Sequence, residues 1–182
     1  MFQTELEMSL MFEKYLKANF GNAYLKECQG LFGIPDFVFY IKQKQEISII
    51  SFELKLKNWK KAAKQAFRYK SFSNISYVVL SSKSANAALN NLELFKKYNI
   101  GLAKFNTDSY FEILYKPEFG TPYSHNLNQK LVESISSSKK KSKNIEILIN
   151  HKDKNTSCQQ NVNAVRVSPG TSIVARSSFC LD

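Results

Sequence analysis

Two neighbouring runs of apolar residues constrain the fold of this chain more than any other feature. Residues 37–41 and 47–54 are rich in aromatic and β-branched side chains, which is typical of strands. The turn signal Gly33-Ile34-Pro35 precedes the first run, and the five residues 42–46 between the runs are polar. A connection of that length suits a hairpin, so we predict that the two strands pair antiparallel.

Three charged residues occur at the ends of these runs. Asp36 begins the first strand, and Glu53 and Lys55 end the second. Alternate side chains of a strand share a face, so Glu53 and Lys55 point the same way and Leu54 points the other way. The hairpin brings the start of the first strand and the end of the second to one edge of the sheet. Because burying an unpaired charge is costly, charged residues at this position indicate a chemical role.

Two carboxylates and one ammonium group at one place favour metal chemistry. Carboxylates repel each other, and Mg²⁺ relieves the repulsion through octahedral oxygen coordination at roughly 2.1 Å while keeping waters for a substrate phosphate. A lysine beside them orients a metal-bound water or offsets the charge that develops on the phosphate. The pattern predicts phosphodiester hydrolysis.

These residues resemble the PD-(D/E)XK nucleases, the restriction-endonuclease-like superfamily. Pro35-Asp36 matches the PD element and Glu53-Leu54-Lys55 the ExK element, with 16 residues between them. Gln65 and Tyr69 have the Gln-x-x-x-Tyr spacing of RecB-type members and share a helix face. The resemblance implies an α/β fold with a restriction-endonuclease-like αβββαβ core, in which helices flank a mixed central sheet.

The order of predicted elements agrees with that resemblance. Thr4 and Glu7 form a capping box for the first helix, on which Leu6, Leu10, Leu16 and Phe20 share a side. Asn58 begins a later helix with an apolar stripe of Trp59, Ala62, Ala63, Ala66 and Phe67. Besides the hairpin, the predicted helices cover residues 4–20, 58–70, 84–98 and 126–135, and the predicted strands 23–28, 75–80, 101–105 and 145–149.

The resemblance also implies roles for individual residues. Asp36, Glu53 and the Leu54 carbonyl would hold Mg²⁺, for which Mn²⁺ can substitute, and Lys55 would position the attacking water. Gln65 would hold the active site or the nucleic-acid backbone, and Tyr69 would support it. The structural alternatives are a turn at Asp36, a solvent-side pair of Glu53 and Lys55, a solvated Gln65 and a core Tyr69.

Many members of the superfamily supply a further glutamate from the first helix. We favour Glu5 because of its angular position beside Leu16 on the helical wheel. Glu7 and Glu13, and Glu27 on the predicted first strand, remain open, and a surface position is the commoner place for a helix glutamate.

The charge balance indicates a phosphate-rich partner. The net charge is +11, from 26 basic and 15 acidic residues. One basic cluster directly follows the ExK element, and we interpret it as the nucleic-acid approach surface; a solvated helix face is the alternative. It consists of Lys57, Lys60, Lys61, Lys64 and Arg68. A second cluster, Lys139 to Lys141 with Lys143, lies in a Ser-rich stretch, residues 134–142, that resembles a flexible linker.

Length and composition bound the organisation. A chain of 182 residues predicts one domain, with residues 1–120 as the nuclease-like part and 121–182 as a basic, Ser/Asn-rich, partly disordered extension. Three scattered cysteines do not fit a zinc site and favour a reducing, cytoplasmic location. No apolar stretch is long enough to cross a membrane, and no Walker-type loop is present.

The sequence therefore predicts a Mg²⁺-dependent DNA endonuclease, acting as a homodimer or with a partner protein that supplies specificity. The alternatives are an inactive nucleic-acid-binding module or accessory subunit of a larger complex, and a nuclease that acts on RNA.

Overall fold

In the described part of the chain, helices flank both faces of one mixed sheet, whose seven strands follow one another in chain order. The computed structural model describes residues 1–43, 46–149 and 166–167. Its elements are α1 Glu5–Phe20, β1 Tyr24–Lys26, β2 Phe37–Gln43, β3 Glu46–Lys55, α2 Trp59–Tyr69, β4 Ile75–Ser81, α3 Ser82–Leu89, α4 Leu92–Tyr98, β5 Gly101–Phe105, β6 Phe111–Tyr115, α5 His125–Ser136, a 3₁₀ turn Ile145–Leu148 and β7 Arg166–Val167.

The strand directions follow from the connections. β1, β2 and β3 pair antiparallel, β3, β4 and β5 pair parallel, and β6 and β7 add antiparallel pairs at the far edge. The two parallel crossovers carry helices, as such connections require. The predicted hairpin of β2 and β3 is confirmed. Phe37 lies opposite Phe52 in it, and this register sets Asp36 beside Glu53.

α1 covers one face of the sheet through aromatic side chains. Thr4 accepts a hydrogen bond from the Glu7 backbone N–H, so Thr4 is confirmed as the N-cap. The other half of the predicted capping box was wrong, because the Glu7 side chain accepts the Gln3 N–H and not that of Thr4. Phe12 is fully buried and its ring contacts Phe37, Phe52, Phe105 and Phe111. The predicted apolar side was wrong in part: Leu6 and Leu10 are 66% and 48% exposed. The larger aromatic surfaces of Phe12 and Tyr15 occupy the sheet-facing side instead.

α2 and α3 cover the opposite face through small side chains. Ala62, Ala63 and Ala66 of α2 pack with Ala85 and Ala88 of α3 in a second buried cluster. The predicted start of α2 is confirmed, because Asn58 accepts a hydrogen bond from the Lys61 N–H at 3.1 Å. The predicted stripe was wrong at Phe67, which is 41% exposed.

Two predicted elements differ from the structure. The helix predicted over residues 84–98 is two helices, because Asn91 leaves the helical conformation and its side chain bonds back to the Ala87 carbonyl. The strand predicted over residues 145–149 is a 3₁₀ turn that buries Ile145 and Leu148. Tyr77 of β4 donates to the Leu148 carbonyl, so the turn closes over the end of the core.

Residues 121–149 pack onto the same cores as the preceding part of the chain. The helix predicted over residues 126–135 is confirmed as α5, which buries Leu131 beside Val38 and Ile135 beside Tyr40. β6 and β7 were not predicted. The rest of the predicted extension lies outside the described residues. None of the described helices combines the length and the apolar character that crossing a membrane requires.

Removing the Phe12 ring tests which side of α1 faces the sheet. We expect Phe12→Ala to lower the free energy of unfolding by about 3–5 kcal/mol, because loss of the ring leaves a cavity among its five aromatic neighbours. The control Leu6→Ala should change it by less than about 0.5 kcal/mol, because that side chain is exposed. Urea unfolding measures both, and equal losses would contradict this packing.

Candidate active site

Asp36 is held at the start of β2 by its own hydrogen bond to the neighbouring strand. Its Oδ2 accepts the backbone N–H of Leu54 at 2.7 Å, a bond that uses only one of its two carboxylate oxygens. Burial raises the pKa of Asp36, and the Leu54 N–H and the charge of Lys55 offset that effect only in part. Asp36 is therefore a partly buried carboxylate, aimed at the end of β3 and not out into a solvent turn.

Glu53 is the most deeply buried charged group of this cluster, at 2% exposed. The Tyr69 hydroxyl donates to its Oε2 at 2.6 Å, and Lys55 Nζ lies 3.2 Å from its Oε1. Burial and the nearby charge of Asp36 raise the pKa of Glu53 to about 7, although Tyr69 and Lys55 favour the ionised form. Its protonation is therefore poised near neutral pH.

Lys55 lies between two carboxylates. Its Nζ is 3.1 Å from Glu5 Oε2 and 3.2 Å from Glu53 Oε1, and its side chain is only 16% exposed. Burial by itself lowers the pKa of Lys55, but the two glutamates outweigh that effect and the pKa is raised. Lys55 is thus a charged hydrogen-bond donor fixed in position at the edge of the sheet.

Glu5 is the first-helix glutamate that reaches this cluster. Besides its contact with Lys55, it accepts the Leu56 N–H at 3.4 Å across the end of β3. Glu7 instead accepts the Gln3 N–H at the start of α1, and Glu13 bonds Tyr24 and Lys26.

Tyr69 links the two halves of the predicted motif. Its hydroxyl oxygen lies 2.6 Å from Glu53 Oε2 and 3.0 Å from the carbonyl oxygen of Ile34, in the loop before Asp36. Burial and the Glu53 carboxylate raise the pKa of Tyr69, so the hydroxyl stays protonated. Gly33 lies close to the ring with φ +102°, and a Cβ there would lie 2.8 Å from Cε1 of Tyr69. Tyr69 is therefore both a core aromatic and a polar contact of the site.

Gln65 lies one turn before Tyr69 and is partly buried. Its side chain neighbours the Tyr69 hydroxyl, where it opposes the rise in the pKa of that group. Gln65 Oε1 is buried and has no hydrogen-bond partner among the described residues. A buried, unpartnered oxygen beside the Tyr69 hydroxyl does not fit the alternative of a solvated helix residue.

The exposed side of α2 and the residue Lys57 just before it carry several basic side chains. The predicted nucleic-acid residues Lys57, Lys60, Lys61, Lys64 and Arg68 are all exposed. α2 contains no acidic residue, so nothing on the helix itself neutralises this face. The Arg68 guanidinium lies over the ring of Phe32, at 5.9 Å from its centroid. Sequence reasoning missed Phe32 and Ile34, which precede Asp36 in the chain and are 58% and 53% exposed. The only sequence signal for them is that they are apolar residues in a turn that contains glycine.

The oxygen atoms at the site suit a hard cation. Within residues 1–43 and 46–149, no three His, Cys, Asp or Glu side chains gather as a metal group. Asp36 and Glu53 nevertheless lie close enough for one charge to raise the pKa of the other. The N–H and C=O of one strand residue point to the same neighbour, so the Leu54 carbonyl points to the side of Asp36. Two carboxylates and one carbonyl fit Mg²⁺ or Mn²⁺ with waters completing the shell.

Comparison of the chain with protein families, with curated proteins and with solved structures found no match.

Substituting Gly33 tests the contact between the loop and Tyr69. Both Gly33 and Gly30 have positive φ, but a Cβ at Gly30 would meet only the flexible end of Lys130, at 3.4 Å. We expect Gly30→Ala to cost about 1 kcal/mol of backbone strain. Gly33→Ala should cost about 1–3 kcal/mol more, because its methyl group overpacks the Tyr69 ring. Thermal unfolding measures the difference, and equal costs would contradict the contact.

The pKa of Glu53 predicts a pH dependence of stability. Its pKa rises from an ordinary 4.5 to about 7 in the folded protein, so the stability it contributes is fully present below pH 4.5. That contribution, about 3 kcal/mol, is lost as the pH rises through 7. Urea unfolding between pH 4.5 and 8 should show that the free energy of unfolding depends less on pH in Glu53→Gln than in the wild type. Parallel profiles would refute the raised pKa.

Proposed function

We propose that this protein is a Mg²⁺-dependent nuclease of the restriction-endonuclease-like type that hydrolyses DNA phosphodiester bonds. The observation that carries the proposal is the convergence of Asp36, Glu53 and Lys55 at one sheet edge, where Tyr69 bonds Glu53. A buried carboxylate pair beside a lysine has no structural advantage over apolar side chains of similar volume. This cost favours a catalytic role.

The arrangement of elements supports the same proposal. α1, β1, β2, β3, α2 and β4 follow one another in the order of the αβββαβ core. The two carboxylates lie on the β2–β3 hairpin, and the helix that follows it supplies Tyr69 and Gln65. We therefore assign the sheet to the restriction-endonuclease-like fold as part of the proposal.

The carboxylates of Asp36 and Glu53 and the Leu54 carbonyl would hold Mg²⁺, which supplies Lewis-acid activation of water and phosphate when bound. Glu53 binds a cation only when ionised, and Tyr69 directs its O–H to that ionised form. Lys55 donates a hydrogen bond to Glu53 beside this metal site, and its positive charge would offset the negative charge that develops on the phosphate. Glu5 restrains the Lys55 ammonium from the other side.

The surroundings of the site suit a polyanion. The basic residues of α2 lie on the exposed side of the helix whose inner side carries Tyr69. Phosphates bound along this face would lie on the outer side of the helix that supplies Tyr69 and Gln65 to the site. This surface recognises charge and leaves the distinction between DNA and RNA to contacts with the sugar.

A second candidate function is nucleic-acid binding without cleavage. It is favoured by the contacts of Glu53, whose two oxygens are already bonded to Tyr69 and Lys55 without a metal. In that case the cluster would serve only to stabilise the sheet edge beside a basic binding surface.

Cleavage assays with substituted proteins distinguish the two functions. We expect the wild-type protein to cleave DNA with Mg²⁺, and Asp36→Asn, Glu53→Gln and Lys55→Ala to lose at least about 100-fold in rate. The first two substitutions remove charge that would hold the metal ion, and the third removes the charge that offsets the developing charge on the phosphate. Lys104→Ala is the matched control. It removes a strand lysine that lies 2.8 Å from a Glu112 carboxylate oxygen elsewhere on the sheet, so it should keep its rate once folded.

Thermal unfolding gives a readout that is independent of activity. Mg²⁺ should raise the melting temperature of the wild type more at pH about 8 than at about 6, because ionised Glu53 is the binding form. Asp36→Asn should abolish the shift. Salt-sensitive DNA binding with neither cleavage nor a Mg²⁺-dependent shift would establish the second function instead.

A further inference from the structure

The second lysine cluster lies on a fixed segment of backbone and not on the flexible linker that the sequence predicted. The N–H of Asn22 donates to the Lys141 carbonyl, and the Lys141 N–H donates to Asn22 Oδ1. Lys143 N–H donates to the carbonyl of Phe20, the last residue of α1. Gly21 has φ +90°, and a Cβ there would lie 2.5 Å from the Lys141 carbonyl oxygen, so glycine permits this close approach.

A cavity of about 610 Å³ opens beside this segment. Its lining contains four lysines and three hydroxyl groups but no acidic residue: Tyr40, Lys42, Ser138, Lys139, Lys140, Lys141 and Ser142. The Tyr40 side chain is buried, and its hydroxyl lies 2.6 Å from Ser138 Oγ, which fixes the floor of the cavity. The wall is therefore rich in hydrogen-bond donors and positive charge.

The positive charge of the cavity is not neutralised by the described part of the chain. None of the four lysines forms an ion pair with a described carboxylate. Lys42 donates to the carbonyls of Ser136 and Ser138, and Lys140 donates to the Tyr24 carbonyl. Lys139 and Lys141 are exposed, and no bond within that part of the chain uses their ammonium groups. Like charges held together repel, and an anion relieves the repulsion.

The cavity lies on the same face of β2 as the candidate active site. Asp36, Tyr40 and Lys42 are at alternate positions that share one face, and Lys42 lies six positions after Asp36. At roughly 3.4 Å per residue, the cavity is about 20 Å from the carboxylates. This corresponds to about six base pairs along a DNA strand.

We propose that this cavity, with Lys139 and Lys141 at its rim, is a phosphate-binding site that holds the backbone of the DNA about 20 Å away from the carboxylates of Asp36 and Glu53. The inference rests on the proposed function for its ligand, DNA, but not on cleavage. Its chemistry is ammonium and hydroxyl groups donating to phosphate oxygens, which positions the strand without reading its sequence.

Metal-free binding experiments test this site separately from catalysis. The double substitution Lys139→Ala/Lys141→Ala is compared with Lys14→Ala/Lys97→Ala, which removes the same charge from two exposed helix lysines. In EDTA, we expect the first variant to bind a DNA duplex that spans both sites about tenfold more weakly, with a salt slope smaller by about 1–2. The control should lose much less affinity, and circular dichroism should show both variants folded.

Protection of lysines from acylation distinguishes a DNA phosphate from a free phosphate ion as the ligand. DNA should protect Lys139 and Lys141 from an amine-reactive reagent, and inorganic phosphate should not. Equal weakening of both variants, or of neither, would overturn the proposal, because net charge alone would then explain binding. Equal protection by inorganic phosphate would overturn it in favour of a site for free anions. Binding loss confined to Lys139→Ala/Lys141→Ala supports the site even if the wild type proves inactive in cleavage.

Discussion

The hydrogen bond from Tyr69 to Glu53 is the contact on which the candidate site depends. Glu53 is a charged residue of β3, and the residues around it in that strand are almost all buried. Burial alone disfavours the ionised form of Glu53. The Tyr69 hydroxyl and the Lys55 ammonium are the two donors that make ionisation accessible near neutral pH. Since the same hydroxyl also lies within bonding distance of the Ile34 carbonyl, one side chain connects the loop, the hairpin and α2.

The inner side of α2 packs against the sheet, and its outer side presents basic side chains to solvent. Alanines on the inner side let the helix approach the sheet and α3 closely, and this brings Tyr69 within reach of Glu53. Lysines and an arginine on the outer side leave a surface without acidic residues. The helix therefore holds Tyr69 against Glu53 on its inner side and presents basic side chains to solvent on its outer side. The same sheet carries the lysine cavity at the other end of β2, so one rigid element relates two places that suit phosphate.

Sequence reasoning was reliable where the signal was local. The hairpin, the start of α2 at Asn58 and β5 at residues 101–105 follow from alternation, capping and strand propensity, which act over a few residues. It was unreliable where two packings compete. α1 has apolar residues on several sides, and the aromatic sheet surface selected Phe12 over Leu6. Residues 145–149 are apolar enough for a strand, but they close over Tyr77 as a 3₁₀ turn.

The sequence by itself determined that Asp36, Glu53 and Lys55 lie at one edge of a hairpin, because strand alternation and a short connection allow little else. Only the tertiary structure decided which glutamate of α1 meets Lys55, since helical spacing leaves Glu5, Glu7 and Glu13 open and the docking angle of the helix chooses among them. It also decided the bond between Tyr69 and Glu53 and the anchoring of Lys141 on Asn22. These contacts join residues far apart in the chain, whose distance is set by packing and not by local periodicity.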